Sequence, residues 1–207
     1  MLSTALIAAL LLLAPAGSLS PAEAMARRLE LRQRGVQDLK GRFVQSYRSG
    51  LLGREIVERG TLAIKRPGRM RWEYRDPEPK TFVSDGKTFY FYVPADKQVV
   101  VRDQADNHGI TADLLSGHLD ILAQFDVGIE TPAPGRERLR LVPKKPDGEI
   151  ERLYIEADAT ARIQAIEILD AQGNRSRFEF QDVKENVGLP DSLFRFDIPR
   201  GVEVVSG

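Results

Sequence analysis

Three groupings of side chains carry types that could do chemistry. Ser116, His118 and Asp120 have the makings of a nucleophile, a base and an orienting acid. They alternate within one predicted helix, however, and residues two apart on a helix face away from each other, so they do not form a triad. Asp103, Asp106, Asn107 and His108 offer oxygen and imidazole donors, yet lack the spacing and terminal glutamate of a calcium loop. Glu149 and Glu151 sit two apart in a strand-forming stretch, where paired carboxylates are ordinary surface charges. No glycine-rich phosphate loop, G-x-S-x-G elbow or H-E-x-x-H motif is present. With no cysteine, disulfides, thiolate catalysis, iron–sulfur clusters and thiolate zinc sites are excluded, and two histidines cannot build a His-rich metal centre. The expectation is a protein that is not an enzyme and holds no metal or cofactor.

The informative groups are apolar. In Arg69–Arg75, strict alternation sets Met70, Trp72 and Tyr74 on one strand face and four charges on the other. Phe89, Tyr90, Phe91 and Tyr92 follow on a second strand, two rings per face. Such a set is either a packed core or the wall of a cavity, where methionine and rings adapt to a flexible apolar ligand. Leu62, Ile64 and Arg66 share one face of the stretch 61–66. An inward guanidinium needs partners, because an unpaired buried charge costs several kcal/mol. Otherwise it runs out to solvent at the strand end.

The elements that must position these groups read as mainly β. Apolar residues Met25, Leu29, Val36 and Leu39 recur at helical spacing from Ala22 to about Leu39, with Gly41 closing the helix. The period then changes to two: strands are expected at 43–47, 55–66, 69–75, 80–84, 88–93 and 98–102. Thr111 caps a segment in which Leu114, Leu115, Leu119, Leu122 and Phe125 form an apolar face, and Gly117 splits or kinks it. Strands resume at 128–131, 136–142, 151–157, 163–169 and 176–183, and a short tail closes the chain at 190–196 and 201–205. The connections are too short for crossover helices. About eleven strands therefore form one mainly β fold, a single antiparallel sheet large enough to curl, with the amphipathic helices as the candidates to cover its apolar concave face.

Composition fits an exported protein of neutral charge. The 207 residues hold 30 basic and 30 acidic side chains, a balance that argues against a nucleic-acid partner. None of these charges falls within residues 1–20, where Leu6–Ala14 is an unbroken apolar run before the small residues of Ala14-Pro15-Ala16. That pattern is a secretory signal peptide, with residues 21–207 as the mature domain.

The motif Leu39-Lys40-Gly41-Arg42-Phe43-Val44-Gln45 is followed by Gly60-Thr61-Leu62 and by Lys65-Arg66-Pro67-Gly68-Arg69-Met70-Arg71-Trp72-Glu73-Tyr74. Pro77, Val83-Ser84-Asp85-Gly86-Lys87-Thr88, Phe91-Tyr92 and Lys97-Gln98-Val99 continue the series, and Phe194-Arg195-Phe196, Pro199 and Gly201-Val202 end it. In this order they resemble the LolA family of periplasmic lipoprotein carriers. The resemblance implies a single unclosed antiparallel β-barrel of about eleven strands covered by amphipathic helices, and a periplasmic chaperone, working as a monomer, that shields the acyl chains of lipoproteins in an apolar cavity between the inner and outer membranes. It implies loading by an inner-membrane ABC-type lipoprotein-releasing complex and delivery to an outer-membrane lipoprotein receptor or acceptor. Leu62, Ile64, Met70, Trp72, Tyr74, Phe89, Phe91, Leu114 and Leu115 are the expected lining. Arg66 is the expected control of the lid, bonded to carbonyls of the segment 111–125 or of the loop before it. A lipid- or lipoprotein-sensing regulatory module with the same barrel is the alternative, although such proteins usually carry a second domain.

Overall fold

The computed structural model describes residues 19–103, 110–117, 119–130, 137–145 and 150–206. The stretch assigned to the signal peptide, except Leu19 and Ser20, lies outside the described residues, as do Asp106, Asn107, His108, His118 and Glu149.

Helix α1 (Pro21–Arg34) begins with a complete capping box: Ser20 Oγ accepts from the Glu23 backbone, and the Glu23 carboxylate accepts from Ser20 N at 2.8 Å. Ala22, Met25, Ala26, Leu29 and Gln33 form its buried stripe. The helix ends at Gly35, not near Gly41 as the periodicity suggested. Val36 and Leu39 are buried as expected, but beyond the helix; Leu39 already belongs to a strand, where ladder hydrogen bonds override the helical spacing.

Twelve strands form one sheet: β1 (Asp38–Arg48), β2 (Glu55–Lys65), β3 (Arg69–Asp76), β4 (Lys80–Asp85), β5 (Thr88–Val93), β6 (Gln98–Asp103), β7 (Phe125–Glu130), β8 (Glu137–Pro143), β9 (Arg152–Ala157), β10 (Ile163–Leu169), β11 (Arg175–Glu185) and β12 (Glu203–Ser206). Their order is β12-β6-β5-β4-β3-β2-β1-β11-β10-β9-β8-β7, so among the described residues β12 and β7 are the two edges and the barrel is unclosed. All neighbours are antiparallel except β12, which pairs parallel with β6. The sequence reading of eleven strands missed β12, whose four residues carry no alternation of their own and pair across a long connection.

Two short helices, α2 (Ile110–Ser116) and α3 (Ile121–Gln124), interrupt the strands, separated at Gly117. Thr111 lies buried inside α2, and Phe125 opens β7 instead of closing a helix. With α1 they cover the concave face of the sheet, where Leu39, Phe43, Leu62, Ile64, Met70, Trp72 and Tyr74 join Leu139, Leu141, Leu153, Ile155 and Ile166 in one core.

A smaller core lies on the opposite face. Ala63 packs there with Leu189 and Phe194, under a single 3-10 turn at Asp191–Phe194. Asp38 fastens this segment: its carboxylate accepts from the backbone N–H groups of Val187, Gly188 and Leu189 at 2.7, 3.0 and 3.0 Å. Lys65 adds bonds to Leu189 O and to Asp191, both at 2.6 Å.

Candidate functional site

Alternation along β3 carries Met70, Trp72 and Tyr74 to the concave face, each under a tenth exposed. Phe89 of β5 lies on the same face. These four residues line a cavity of about 460 Å³, with Phe82, Ile110, Thr111, Ala112, Ile150, Ile168, Asp170, Ser176 and Phe178. The volume falls within the range of about 300–1,000 Å³ usual for ligand sites. Its walls are mostly rings and aliphatic side chains, with Asp170 and Ser176 forming a polar end where β10 turns into β11, and with Thr111 on α2.

The aromatic wall is stiff. Phe43 meets Trp72 and Tyr74 edge-on, with centroids 5.0 and 4.8 Å apart, and Trp72 meets Phe178 at 5.8 Å. The Tyr74 hydroxyl donates to Gln45 Oε1 at 2.6 Å, and Gln45 Nε2 in turn donates to Ser176 Oγ at 3.0 Å. Burial, with the Glu58 carboxylate adding to it, pushes the Tyr74 phenol well above its ordinary range. The ring therefore remains neutral at physiological pH.

The other expected lining residues occupy different places. Leu62, Ile64, Leu114 and Leu115 are buried in the core between the sheet and the helices. Leu114 and Leu115 there border two smaller voids, of about 90 and 10 Å³, beneath α1 and α2. Phe91 stacks on Phe82 at 4.4 Å and is partly exposed. Sequence reasoning missed Phe82, Ile168 and Phe178, although strand alternation could have found all three. Ile110 and Ile150 carried no such signal, because Ile110 opens α2 and Ile150 precedes β9, outside any alternating stretch.

Arg66 follows the last residue of β2. Its Nη2 donates to the carbonyl of Gln33 and its Nη1 to that of Arg34 at 3.2 Å. The expected partners were carbonyls of the segment 111–125 or of the loop before it; residues 104–109 of that loop lie outside the described residues, and among the described residues the pairing is with α1 instead. The physical reason lies in the helix end, whose last carbonyls lack intrahelical partners and carry the negative end of the dipole. Gly117 is nevertheless part of the arrangement: a Cβ there would lie 2.0 Å from Arg66 Nη2. Desolvation lowers the Arg66 pKa from its ordinary value, as expected for a cation held against protein.

A second tie joins the helices to each other. Glu30 of α1 accepts from the backbone N–H groups of Ile121 and Leu122 at 2.7 and 3.3 Å, at the start of α3. Asp120 caps the same helix by accepting from Ala123 N at 3.0 Å. Ser116 Oγ donates to the Asp113 carbonyl at 3.2 Å, and thus Ser116 and Asp120 serve the two helices separately.

An open, largely antiparallel barrel with a ring-lined cavity beside a helical cover has the form of a binding protein. Residues 34–197 match the family described as outer membrane lipoprotein carrier protein LolA, and the chain belongs to that family. It is 35% identical over 202 residues to the outer-membrane lipoprotein carrier protein of Azotobacter vinelandii, covering 95% of this chain and 96% of that one. It is 33% identical over 204 residues to the protein of the same description from Bordetella avium, covering 96% and 95%. Among solved structures, a conserved protein of uncharacterised function from Thermus thermophilus shares the fold with a TM-score of 0.58. That match, at 14% identity, covers 91% of this chain and 100% of the other.

Proposed function

We propose that this protein is a periplasmic carrier that shields the acyl chains of lipoproteins and ferries them from the inner to the outer membrane. The observation that carries the reading is the ring- and methionine-lined cavity between the concave sheet and α2. Membership of the lipoprotein-carrier family supports it. On this reading residues 1–20 direct export and residues 21–207 are the working domain.

The physical case rests on burial. A methylene removed from water stabilises by roughly 0.8 kcal/mol, so an acyl chain of ~15 methylenes is worth on the order of 12 kcal/mol. Left in water, such a chain inserts or aggregates. Met70, Trp72, Tyr74 and Phe89, with Phe82 and Phe178, give it an apolar wall. Leu62, Ile64, Leu114 and Leu115 extend that wall when the helical cover moves away from the sheet.

Arg66 is the clasp of the cover. Its bonds to the end of α1 are charge-assisted and contribute roughly 1.5–3 kcal/mol, small beside the burial of an acyl chain. A loaded carrier therefore opens, and reclosure of the clasp favours release. Loading falls to an inner-membrane ABC-type complex and unloading to a tighter outer-membrane acceptor, since the chain has no fuel-binding motif of its own.

Native mass spectrometry of the protein purified from its own periplasm tests the reading. A population carrying the mass of an acylated lipoprotein is expected; a uniformly empty protein from cells that are exporting lipoproteins would contradict it.

A further inference from the structure

The hairpin between β1 and β2 is the most conspicuous apolar feature of the surface. Leu51 is 90% exposed and Leu52 is 69% exposed, at the tip of a turn whose sequence is Ser49-Gly50-Leu51-Leu52-Gly53-Arg54. Behind them Tyr47 and Ile56 face each other across the strands and are also exposed. Two leucines held in water at a turn, where polar residues normally stand, have no role in the core.

The tip is a built element. Ser49 N donates to Arg54 O at 3.0 Å, Gly53 N to Ser49 O at 2.9 Å and Leu52 N to Ser49 Oγ at 3.2 Å. These bonds order the turn from within. It is braced from the side, since Gly50 N donates to Asn174 Oδ1 at 3.0 Å. A Cβ at Gly50 would lie 2.6 Å from the Gln172 carbonyl oxygen, so the β1–β2 and β10–β11 turns are in direct backbone contact.

That contact fixes where the leucines stand. The β10–β11 turn contributes Asp170 to the cavity lining, and Ser176 just beyond it lines the cavity as well. The exposed leucines thus sit beside the polar end of the cavity. Arg48 and Arg54 flank the tip, both exposed, and neither is ion-paired among the described residues.

We propose that the Leu51–Leu52 tip inserts into the surface of an anionic phospholipid bilayer and brings the end of the cavity against it. Leucines at the acyl boundary with arginines at headgroup depth are the arrangement that interfacial binding requires. The small apolar area favours lipid over a protein partner, because a stable protein interface buries more than about 1,000 Å². This inference rests on the carrier reading for its purpose: an acyl chain leaving the cavity at this end enters lipid without crossing water.

The test is co-sedimentation of the empty protein with vesicles of phosphatidylethanolamine and phosphatidylglycerol at low salt. Wild type is expected to bind, and Leu51→Ser/Leu52→Ser to bind roughly tenfold less or weaker. Arg48→Gln/Arg54→Gln is expected to remove most of the preference for phosphatidylglycerol over purely zwitterionic vesicles. Because the leucines are exposed, the double serine variant should melt like wild type and still load a long-chain lipid, read by the emission of Trp72. That arm separates the two readings: failure to load in wild type counts against the carrier, whereas loss of vesicle binding alone concerns the tip. No binding of wild type to vesicles, equal binding by the serine variant, or binding only when a membrane protein is reconstituted in the vesicle would each overturn the proposal.

Discussion

Arg66 Nη2 occupies the space that a side chain at Gly117 would need, and from there it donates to the carbonyl of Gln33. One guanidinium thus fits the end of β2, the end of α1 and the break between α2 and α3 together. Gly117 has φ +67°, a conformation that L side chains adopt only with strain. The kink and the clasp are therefore one device.

Gly117→Ala should break it. The added methyl meets Arg66 Nη2, and the positive φ costs a further ~1–2 kcal/mol. We expect global stability to fall by about that amount in urea titrations, with protease sensitivity rising first in the helical cover. Unchanged protection of α2 and α3 would mean that Arg66 yields without consequence.

Arg66→Leu should leave the barrel folded, because the apolar face of β2 accepts leucine. Loss of two charge-assisted bonds frees the end of α1, and hydrogen exchange at residues 30–34 should quicken about tenfold or more. In a transfer assay the variant should accept lipoprotein and release it to acceptor membranes poorly. Normal release by a folded variant would reduce Arg66 to a helix-end charge.

Much of this was legible in the residues. Alternation located Met70, Trp72 and Tyr74 on one face, and Gly117 announced a break in the helical cover. Phase also pointed Arg66 inward, but the expectation named carbonyls of the segment 111–125 or of the loop before it, not those of α1. The observed partner depends on the last carbonyls of a helix, which are set by where α1 stops; the stop at Gly35 was hidden by Val36 and Leu39, buried at helical spacing from a loop and a strand. The second core around Phe194 was invisible because Ala63, the sheet residue it packs on, is small and far away in sequence.

Asp38 illustrates the same blindness and gives a direct test. Its carboxylate accepts three backbone N–H groups at Val187–Leu189, and nothing local in the sequence marks it. Asp38→Ala leaves those donors without their acceptor and should destabilise by about 3 kcal/mol. The loss should appear as a lower urea midpoint, with residues 186–194 the first to exchange. A change below ~1 kcal/mol would mean that water replaces the carboxylate at no cost.

Tyr74 sets an alkaline limit. Its phenol titrates above the ordinary value near 10 in the folded protein, so the unfolded chain loses its proton first. Folding stability from this group is then complete below pH ~10 and declines above it by up to about 1.4 kcal/mol per pH unit. Tyr74→Phe should cost about 1 kcal/mol at neutral pH, through the bond to Gln45, yet lose less stability than wild type above pH ~10. Parallel stability profiles for the two proteins would show that Tyr74 ionises freely in the fold.

The carrier reading stands or falls on whether the acyl chain reaches Trp72, the single tryptophan of the sequence. The decisive measurement is the emission of Trp72 during titration with a lipoprotein in acylated form and with the same polypeptide lacking its acylated cysteine. The acylated form should bind stably and shift the emission, with Met70→Glu abolishing both effects, while the unacylated form leaves the spectrum unchanged. Equal binding of the two forms, or tight binding of the acylated form with the Trp72 spectrum unmoved, would contradict an acyl chain held in this cavity.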